Sequence, residues 1–566
     1  MNHKLLAAVA CLALGSCQAA QTPPPAQGQW KAFAQGTVDK YFALNPNDAI
    51  YEGDHRFDGH LPDWSPAGLK AEGDFLRKAI ADANGYNGLS KDDAFERDYL
   101  VHVLQGELFF LEDADQPHHN PAFYTDALDP NVYVSREYAD QPTRMKALTA
   151  FFNQVPSRAQ QIRANLKAPL PASFVKYGIA AFDGFADYYA KDALQAFAGV
   201  AAPEVQQNLK YSSQKASKAM RDLADWLRTQ QAGATQDFAL GPDKFSRMLQ
   251  TTEAVDIPLD QLMKVAKDDL AKNQAMMQAE CAKYAPGQPV PACVKTMLDD
   301  KPSGDIVAAA TAQVPMLTAF VQSHDLATIP AGEHALVREA PPYNRQNTAY
   351  IDPPGPLEHG IPSIYYISPP DPAWSAQKQH DYLPGKDSLL FITTHEVMPG
   401  HFLQFLHSNR SPSLIARLFV GYGYAEGWAH YAEQMMWDAG LGNGDPEVHI
   451  GQLAEALERD CRFISAIGLH TQGMTQEQSK QLFIDQCYKD EGSAEQQAAR
   501  GTYDPQYLNY TLNKLMIMKL RDDWTASRGG RQAWKAFHDT FLNYGGPPVP
   551  LVRQAMMGEA APKTVF

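Results

Sequence analysis

The sequence predicts a mainly α-helical protein with one short β segment. Its 566 residues are 45% hydrophobic and 20% charged, which is typical of chains that bury a large core. Leucine and aromatic residues recur at three- and four-residue spacing along most of the chain, and Pro or Gly marks most segment ends. The formal charge of −16 argues against nucleic acid or an anionic membrane surface as the main partner.

Ten segments show the clearest helical periodicity, and one segment between them does not. Residues 348–370 contain six prolines and Ile/Tyr pairs, so they predict short strands and turns, with 363–368 as the best strand. A strand beside the helix that carries the motif described below would place Tyr365 against a substrate; a surface hairpin without a ligand is the alternative. The predicted helices are 91–112, 142–168, 202–231, 259–283, 304–323, 386–408, 411–439, 446–469, 475–488 and 505–526.

The first 16 residues predict a bacterial lipoprotein signal peptide. Lys4 supplies the positive charge, and residues 5–14 form an apolar stretch too short to span a bilayer. The sequence LGSC at 14–17 resembles a lipobox, which implies cleavage before Cys17 and a lipid on its sulfur. An ordinary signal peptide cut after residue 19 or 20 is the alternative.

The residue after the lipidated cysteine bears on location. Gln18 stands there rather than Asp, which favours the outer membrane, facing the periplasm. Residues 17–28 form a Pro-rich tether, and residues 29–566 are predicted to be a single helical domain, in one or two lobes. We expect membrane contact through the lipid anchor only; the sequence does not predict an oligomeric state.

Four cysteines remain once the two in the first 17 residues are set aside. An even number in an oxidising compartment indicates two disulfides, and the absence of a C-x-x-C argues against a cysteine-ligated zinc. Sequence proximity favours two local pairs, although other pairings stay open. The favoured pairs are Cys281–Cys293 and Cys461–Cys487.

The heptapeptide HEVMPGH, whose ends are His395 and His401, is the most informative motif. Zinc hydrolases use neutral imidazoles as ligands and a Glu to take a proton from zinc-bound water. Residues six apart on a regular helix differ by about 120° and roughly 9 Å of rise, so these imidazoles could not share an ion. Pro399 has no N–H to donate, and Gly400 tolerates unusual backbone angles. We therefore predict a break or bulge between residues 398 and 401.

The remaining ligand and its support are predicted from a second helix. Glu396 follows the first histidine and is the expected general base. Glu426 is the expected third ligand, with His430 as the alternative. His430 and Glu433 lie one and two turns further on, where side chains can orient a ligating histidine. The His/His/Glu donor set favours Zn²⁺ as the cofactor.

These residues resemble a bacterial family known as domain of unknown function 885, regarded as zincin-like metallohydrolases. The resemblance covers residues 340–525 and implies a large helical metallopeptidase fold with a deep active-site cleft, the β segment lying beside it. Four segments carry it: H-E-x-x-P-G-H with Q at 395–404, E-G-W-A-x-Y-x-E at 426–433, R…G-L-H at 462–470 and R…P-x-x-x-x-Y at 500–510. Departures from the family pattern are Ala466, Met474, Asp504-Pro505 and Asn513, none of them in the metal motif.

Four side chains near these motifs are candidates for contact with a substrate. A tetrahedral intermediate needs a hydrogen-bond donor for its oxyanion, and Tyr510 and His470 can supply one. Arg500 and Arg462 can hold a carboxylate in a fork. Core packing or salt bridges are the alternatives for all four.

Together these features predict a zinc-dependent hydrolase, most simply a periplasmic peptidase in which Glu396 activates a zinc-bound water. The expected substrate is a peptide or a small amide. Two alternatives stay open: a hydrolase of non-peptide amides or esters, and a non-catalytic lipid-anchored binding or scaffold protein whose zinc is structural or absent.

Overall fold

Helices account for nearly all of the regular structure, as the apolar periodicity predicts. The computed structural model describes residues 27–340, 348–370, 373–558 and 566. The predicted signal peptide, the lipidation site Cys17 and nearly all of the tether lie outside the described residues.

The amino-terminal lobe, residues 27–234, packs its helices around a core of its own. Side-chain caps begin several of them: the hydroxyls of Ser65 and Ser90 and the carboxylate of Asp140 each accept a hydrogen bond from a backbone N–H of the first turn. The helices are α1 (Gln27–Leu44), α2 (Pro46–Tyr51), α3 (Pro66–Asn84), α4 (Lys91–Leu108), α5 (Gln116–His119), α6 (Asn131–Ser135), α7 (Gln141–Asn165), α8 (Ala172–Ala190), α9 (Asp192–Gln195) and α10 (Pro203–Gln230).

The carboxy-terminal lobe, residues 242–558, has a second and larger core. Its central element is α20, which is buried on nearly all sides against α12, α16 and α23. The helices are α11 (Pro242–Glu253), α12 (Leu259–Tyr284), α13 (Val290–Asp299), α14 (Ile306–Ser323), α15 (Ala376–Tyr382), α16 (Lys386–Glu396), α17 (His401–Ser408), α18 (Leu414–Leu418), α19 (Tyr422–Asp438), α20 (Pro446–Thr471), α21 (Gln476–Cys487), α22 (Glu491–Tyr503), α23 (Asn509–Ala526), α24 (Trp534–Leu542) and α25 (Val549–Met557).

One short helix joins the two cores. Ile415, Ala416 and Leu418 of α18 are buried in the core of the amino-terminal lobe, although their neighbours in sequence belong to the other lobe. The hydroxyl of Tyr99 in α4 donates to the carbonyl of Gly546, 2.8 Å away. The two lobes therefore share an interface beside the start of α19.

A three-stranded sheet lies against the helix that carries the heptapeptide. The strands are β1 (Ala335–Glu339), β2 (Ala349–Asp352) and β3 (Ser363–Ile367), in the order β1-β3-β2, with β1 parallel and β2 antiparallel to β3. Strand β3, predicted at 363–368, is confirmed but lies at the centre of the sheet, and every residue in it is buried. Strand β2 is the edge strand that contacts α16.

Two of the predicted helices are interrupted. The prediction of one helix over 411–439 is wrong, because residues 419–421 separate α18 from α19. The N–H of Gly421 donates to the carbonyl of Gly546 at 2.8 Å, and a Cβ on Gly421 would lie 2.9 Å from that oxygen. The second interruption, between α16 and α17, falls in the heptapeptide.

Helix α14 is long and apolar enough, by length and composition, to cross a membrane. A single helix of this kind is weak evidence of a membrane span. Here α14 packs against α16, β1 and β3, so the fold gives it a role in supporting the sheet.

Both favoured disulfides are present in the structure. Cys281–Cys293 joins α12 to α13, and Cys461–Cys487 joins α20 to the end of α21. The first closes a loop of 12 residues and the second a loop of 26. A cross-link lowers the entropy of the unfolded chain, and the effect grows with loop length.

We expect removal of either disulfide to lower the free energy of unfolding by about 3 kcal/mol, with the larger loss for Cys461–Cys487. Urea unfolding of the Cys461→Ala/Cys487→Ala and Cys281→Ala/Cys293→Ala variants measures the two losses. Unfolding curves that match the parent protein would contradict this expectation.

Candidate metal centre

The heptapeptide contains the predicted break. Helix α16 ends at Glu396 and α17 begins at His401. The N–H of Gly400 donates to the carbonyl of Thr394 at 3.0 Å, and a Cβ on Gly400 would lie only 1.8 Å from the carbonyl oxygen of His395. Only glycine fits so close an approach. The expected break between residues 398 and 401 is thus confirmed.

A tryptophan from the second motif holds the turn in place. The indole N–H of Trp428 in α19 donates to the carbonyl of Pro399 at 2.8 Å, and both groups are buried. This carbonyl would otherwise be an unpaired acceptor in the core. The two sequence motifs are therefore linked physically at the break.

The break brings the two imidazoles together. The ring centroids of His395 and His401 are 4.8 Å apart, with the rings perpendicular. Their Nε2 atoms lie 3.2 Å and 3.4 Å from the same carboxylate oxygen of Glu426. One ligand atom from each of the three residues falls within 4.8 Å of the others. The three predicted ligands therefore converge on one point.

The charges at this point suit a cation. Burial alone would lower the pKa of His395, but its hydrogen bonds to Glu426 and Glu433 raise that pKa to about 10. Burial acts to raise the pKa of Glu426, yet the two histidines hold it well below its usual range. The Nδ1 of His401 is buried and has no hydrogen-bond partner among the described residues. Two imidazole nitrogens and one carboxylate are the donor set of catalytic zinc sites.

A buried carboxylate orients the first histidine. Glu433 accepts from Nδ1 of His395 at 2.7 Å and also contacts Nδ1 of His430 at 3.3 Å and a guanidinium nitrogen of Arg459 at 3.5 Å. These contacts direct Nε2 of His395 toward the centre. His430 points to Glu433 and does not belong to the converging set, which favours Glu426 over His430 as the third ligand.

His430 is neutral in this setting. Burial and the ammonium group of Lys514 lower the pKa of His430 to about 3. Lys514 is itself buried and donates to the carboxylate of Asp269 at 3.1 Å. The charge behind the centre is thus balanced by ion pairs within the core, as buried charges require.

Glu396 lies between the centre and the edge strand. Its Oε2 accepts a hydrogen bond from the backbone N–H of Ile351 in β2 at 3.2 Å. Burial raises the pKa of Glu396, and the charges of His401 and His395 oppose that rise. A carboxylate in this position, one residue beyond a converging imidazole, can accept a proton from a molecule at the centre.

Tyr510 of α23 lies against the first histidine. Its ring is nearly parallel to the ring of His395, with centroids 6.3 Å apart. Helix α23 approaches α19 closely because Gly423 and Gly427 have no side chains: a Cβ on Gly427 would lie 2.3 Å from Cβ of Asn513. The glycines of α19 therefore help to place the phenol beside the centre.

Three of the predicted substrate contacts are not supported by the structure. Tyr365 is fully buried, and its hydroxyl is within 3.2 Å of the Thr393 hydroxyl, so it is a core residue. His470 accepts from the N–H of Leu240 and bonds the carbonyl of Gly501, which occupies both ring nitrogens. Arg462 also forms hydrogen bonds within the protein.

The arginines support other side chains. Arg462 donates to Glu458 at 2.6 Å and to Gln497 at 2.9 Å, and its guanidinium lies 4.8 Å from the centroid of the Tyr510 ring. It therefore positions the phenol rather than holding a substrate carboxylate. Arg500 donates to the hydroxyl of Tyr422 at 2.9 Å and remains half-buried, so its predicted role stays a prediction.

Sequence reasoning missed several residues of the centre. Arg459, which pairs with Glu433, carries no motif of its own, although it lies three residues before Arg462 on the same helix. Asn513, one of the departures from the family pattern, donates from its side-chain amide to the buried carboxylate of Glu253 at 3.0 Å. Burial raises the pKa of Glu253 to about 7. Neither contact has a signal in the local sequence.

A large cavity lies between the lobes. This interlobe cavity has a volume of about 1120 Å³. Tyr422, in its wall, packs edge-on against Tyr510 with centroids 5.9 Å apart and lies one turn before Glu426. Asp352, also in the wall, follows Ile351, the residue that bonds Glu396. Two residues of the cavity wall thus neighbour side chains or backbone that contact the centre.

The fold and the site define a large helical protein with a buried His/His/Glu cluster and a cavity between two lobes. The chain matches the family described as "Bacterial protein of unknown function (DUF885)" over residues 46–556, and it belongs to this family. No curated protein matches the chain.

Two solved structures have the same fold. One, from Shewanella oneidensis and described as a candidate lipoprotein of unknown function, is 24% identical, with 93% of this chain and 99% of that chain covered and a TM-score of 0.77. The other, described as a candidate lipoprotein from Colwellia psychrerythraea, is 17% identical, with 94% and 98% covered and a TM-score of 0.81. At these identities the likeness shows the fold alone.

We expect Gly400→Ala to displace the turn and abolish stoichiometric zinc binding, because the new Cβ would collide with the backbone of His395. Gly36→Ala is the matched control, since a Cβ there meets no atom within 4 Å. Zinc content after gel filtration and the midpoint of thermal unfolding are the measurements. A Gly400→Ala protein that binds zinc like the control would refute the role of the turn.

We expect Glu433→Gln to weaken zinc binding by roughly 10- to 100-fold, because the first histidine loses its orienting carboxylate. Glu455→Gln is the control: that carboxylate also pairs with Arg459, but it makes no contact with a predicted ligand. Competition with a zinc-binding dye gives both affinities. Equal affinities in the two variants would count against this role of Glu433.

Proposed function

We propose that this protein is a zinc-dependent hydrolase that cleaves peptide bonds. The observation that carries the proposal is the convergence of His395, His401 and Glu426 beside the carboxylate of Glu396. A structural zinc usually has four protein ligands, whereas catalytic sites have three and keep one position open. Three converging ligands next to Glu396, whose carboxylate is not one of the ligands, favour the catalytic arrangement.

The residues present fit a zinc ion. The donor atoms are two imidazole nitrogens and a carboxylate oxygen, and the buried Nδ1 of His401 and the orienting Glu433 leave both Nε2 atoms to face the centre. A zinc ion held there would polarise a substrate carbonyl and lower the pKa of a water molecule to about 7.

Glu396 would act as the general base. Its carboxylate accepts the proton of the attacking water and later delivers it to the leaving amine. The hydrogen bond from Ile351 fixes one carboxylate oxygen, and the other would accept the proton. Burial raises the pKa of Glu396, and positive charge at the centre opposes that rise and keeps the carboxylate available as a base.

Tyr510 would donate a hydrogen bond to the substrate oxygen on which negative charge develops. Burial raises the pKa of Tyr510, so the phenol stays protonated at neutral pH and can donate. The parallel packing on His395 and the guanidinium of Arg462 hold the ring in position.

The edge strand gives the substrate a place to bind. Strand β2 pairs with β3 on one side, and the N–H of Ile351 on its other side points to Glu396. An extended peptide can add to such an edge through backbone hydrogen bonds. The strand expected to contact the substrate is therefore β2, in place of the buried β3 that the sequence suggested.

The protein would act outside the cytoplasm, anchored by lipid on Cys17. The lipobox-like sequence and the two structural neighbours described as candidate lipoproteins support this location. The outer membrane, facing the periplasm, is the proposed site of the anchor, and the two disulfides agree with an oxidising compartment.

We expect Glu396→Gln to lower kcat for peptide cleavage by about 10²- to 10⁴-fold while zinc content stays at one per chain, because the base is lost and the ligands remain. Turnover of a mixed library of quenched fluorescent peptides and zinc analysis of the same sample test this. A variant that retains both zinc and full activity would end the mechanism.

We expect Tyr510→Phe to lower kcat by about 10²- to 10³-fold, with little change in zinc content, because one oxyanion donor is removed. Tyr365→Phe is the matched control, since its hydroxyl lies in the core beside the Thr393 hydroxyl, 3.2 Å away. A larger loss of kcat in the control than in Tyr510→Phe would reverse these assignments.

A further inference from the structure

The interlobe cavity has an uneven chemical lining. Its volume, about 1120 Å³, slightly exceeds the roughly 300–1000 Å³ of typical small-molecule sites. Thirteen of the described lining residues are Tyr or Phe. No described lining residue is Lys or Arg. The cavity is therefore large enough for several residues of a peptide and offers it aromatic faces and negative charge.

Four carboxylates in the wall, here called the cavity carboxylates, have no cationic partner. None of them forms an ion pair with a described Lys, Arg or His, although three are exposed to the cavity and the fourth is half-exposed. By contrast, the carboxylate of Asp352 in the same wall is held by the guanidinium of Arg136 at 3.0 Å. The cavity carboxylates are Asp48, Glu107, Asp126 and Asp129. Glu52, also in the wall, is set apart from them because the charge of Arg136 acts on it.

Partial burial and mutual repulsion shift the pKa values of the cavity carboxylates. The surrounding protein, and then the charge of Asp48, raise the pKa of Glu107 to about 8. Burial and the charge of Asp126 raise the pKa of Asp129 to about 6. The same two causes raise the pKa of Asp48 to about 6, although the hydrogen bond from Tyr41 opposes the rise. At neutral pH Glu107 is therefore largely protonated, while Asp48 and Asp129 keep most of their negative charge, which a bound cation would stabilise.

Aromatic rings border the carboxylates. The hydroxyl of Tyr177 lies 3.2 Å from that of Thr125, the residue before Asp126. The ring of Tyr177, from the amino-terminal lobe, packs against Tyr503 of the other lobe with centroids 4.4 Å apart. A carboxylate beside an aromatic face is a favourable setting for an ammonium or guanidinium group.

We propose that the interlobe cavity binds the positively charged part of the substrate, so that the protein prefers cationic peptides. This inference rests on the proposed peptidase function, since it assigns that function a substrate class. A peptide with its ammonium or guanidinium groups among the cavity carboxylates would reach the centre past Tyr422 and Asp352, the wall residues next to Tyr510 and Ile351.

Peptide binding tests the cavity without requiring turnover. The probe is a fluorescent peptide with two lysines, and the comparison peptide carries acetyl-lysine at the same positions. Each peptide is prepared with a free and with an acetylated amino terminus. It is titrated into the zinc-loaded Glu396→Gln protein. We expect the lysine peptide to bind on the order of tenfold more tightly than the acetyl-lysine peptide, as a partly desolvated charge pair gives. The acetylated amino end shows how much of the preference comes from the terminus.

The matched variant is Asp126→Asn/Asp129→Asn, and the control is Asp237→Asn, an exposed carboxylate outside the lining. We expect the double variant to lose the preference for charge and the control to keep it. Because the cavity carboxylates repel one another, the double variant should unfold at the same temperature as the parent or above it. A lower unfolding temperature together with lost binding would show a structural role and overturn the proposal.

Cleavage of the same peptides separates the two hypotheses. If cationic peptides are cut with a higher kcat/KM and the double variant brings the ratio to near one, the substrate class is supported. If peptides are cut without preference for charge, the cavity inference is overturned and the peptidase proposal stands. If cationic peptides bind through the cavity carboxylates but no peptide is cut, the peptidase proposal fails and the cavity remains a site for cationic ligands.

Discussion

The contact between Gly400 and the carbonyl oxygen of His395 is the constraint on which the centre depends. A regular helix would carry His401 about 120° around its axis and out of reach of His395. The turn at 397–400 removes that separation, and only a residue without Cβ can occupy its tightest point. The carbonyl of Pro399, in this turn, accepts a hydrogen bond from the indole N–H of Trp428. The spacing of the heptapeptide and the tryptophan of the second motif therefore have one physical explanation.

The core around the turn holds the other components in place. Helix α19 presents Glu426 to the centre and Glu433 to the back of His395, because residues seven apart lie on the same side of a helix. Helix α20 supplies Arg459 and Arg462, and α23 supplies Tyr510. These side chains are nearly all buried, so the ion pairs among them are required to offset the loss of hydration.

Much of this arrangement can be predicted from sequence because it is local. The break at Pro399 and Gly400, strand β3 and both disulfides follow from residues close together in the chain. Contacts between distant segments leave no such signal: Arg459 with Glu433, Asn513 with Glu253, and the opening between α18 and α19 depend on how helices pack. His470 and Tyr365 show the opposite error, since residue types suited to catalysis are occupied by bonds within the core.

Under the proposed function, the interlobe cavity would use side chains of both lobes. Its carboxylates come from the amino-terminal lobe and the reacting groups from the other, so a substrate would bridge both. The carboxylates of its lining contribute to the overall charge of −16, and under this proposal they would attract a cationic ligand.

The central claim is that His395, His401 and Glu426 hold one zinc ion across the break. X-ray absorption spectroscopy of the zinc-loaded protein tests it most directly. The account predicts one zinc per chain with two imidazole nitrogens at about 2.0–2.1 Å and carboxylate or water oxygens at about 2.0–2.2 Å. In the His401→Ala protein the contribution of one imidazole should be missing. Absence of stoichiometric zinc, or an unchanged spectrum in that variant, would contradict the account.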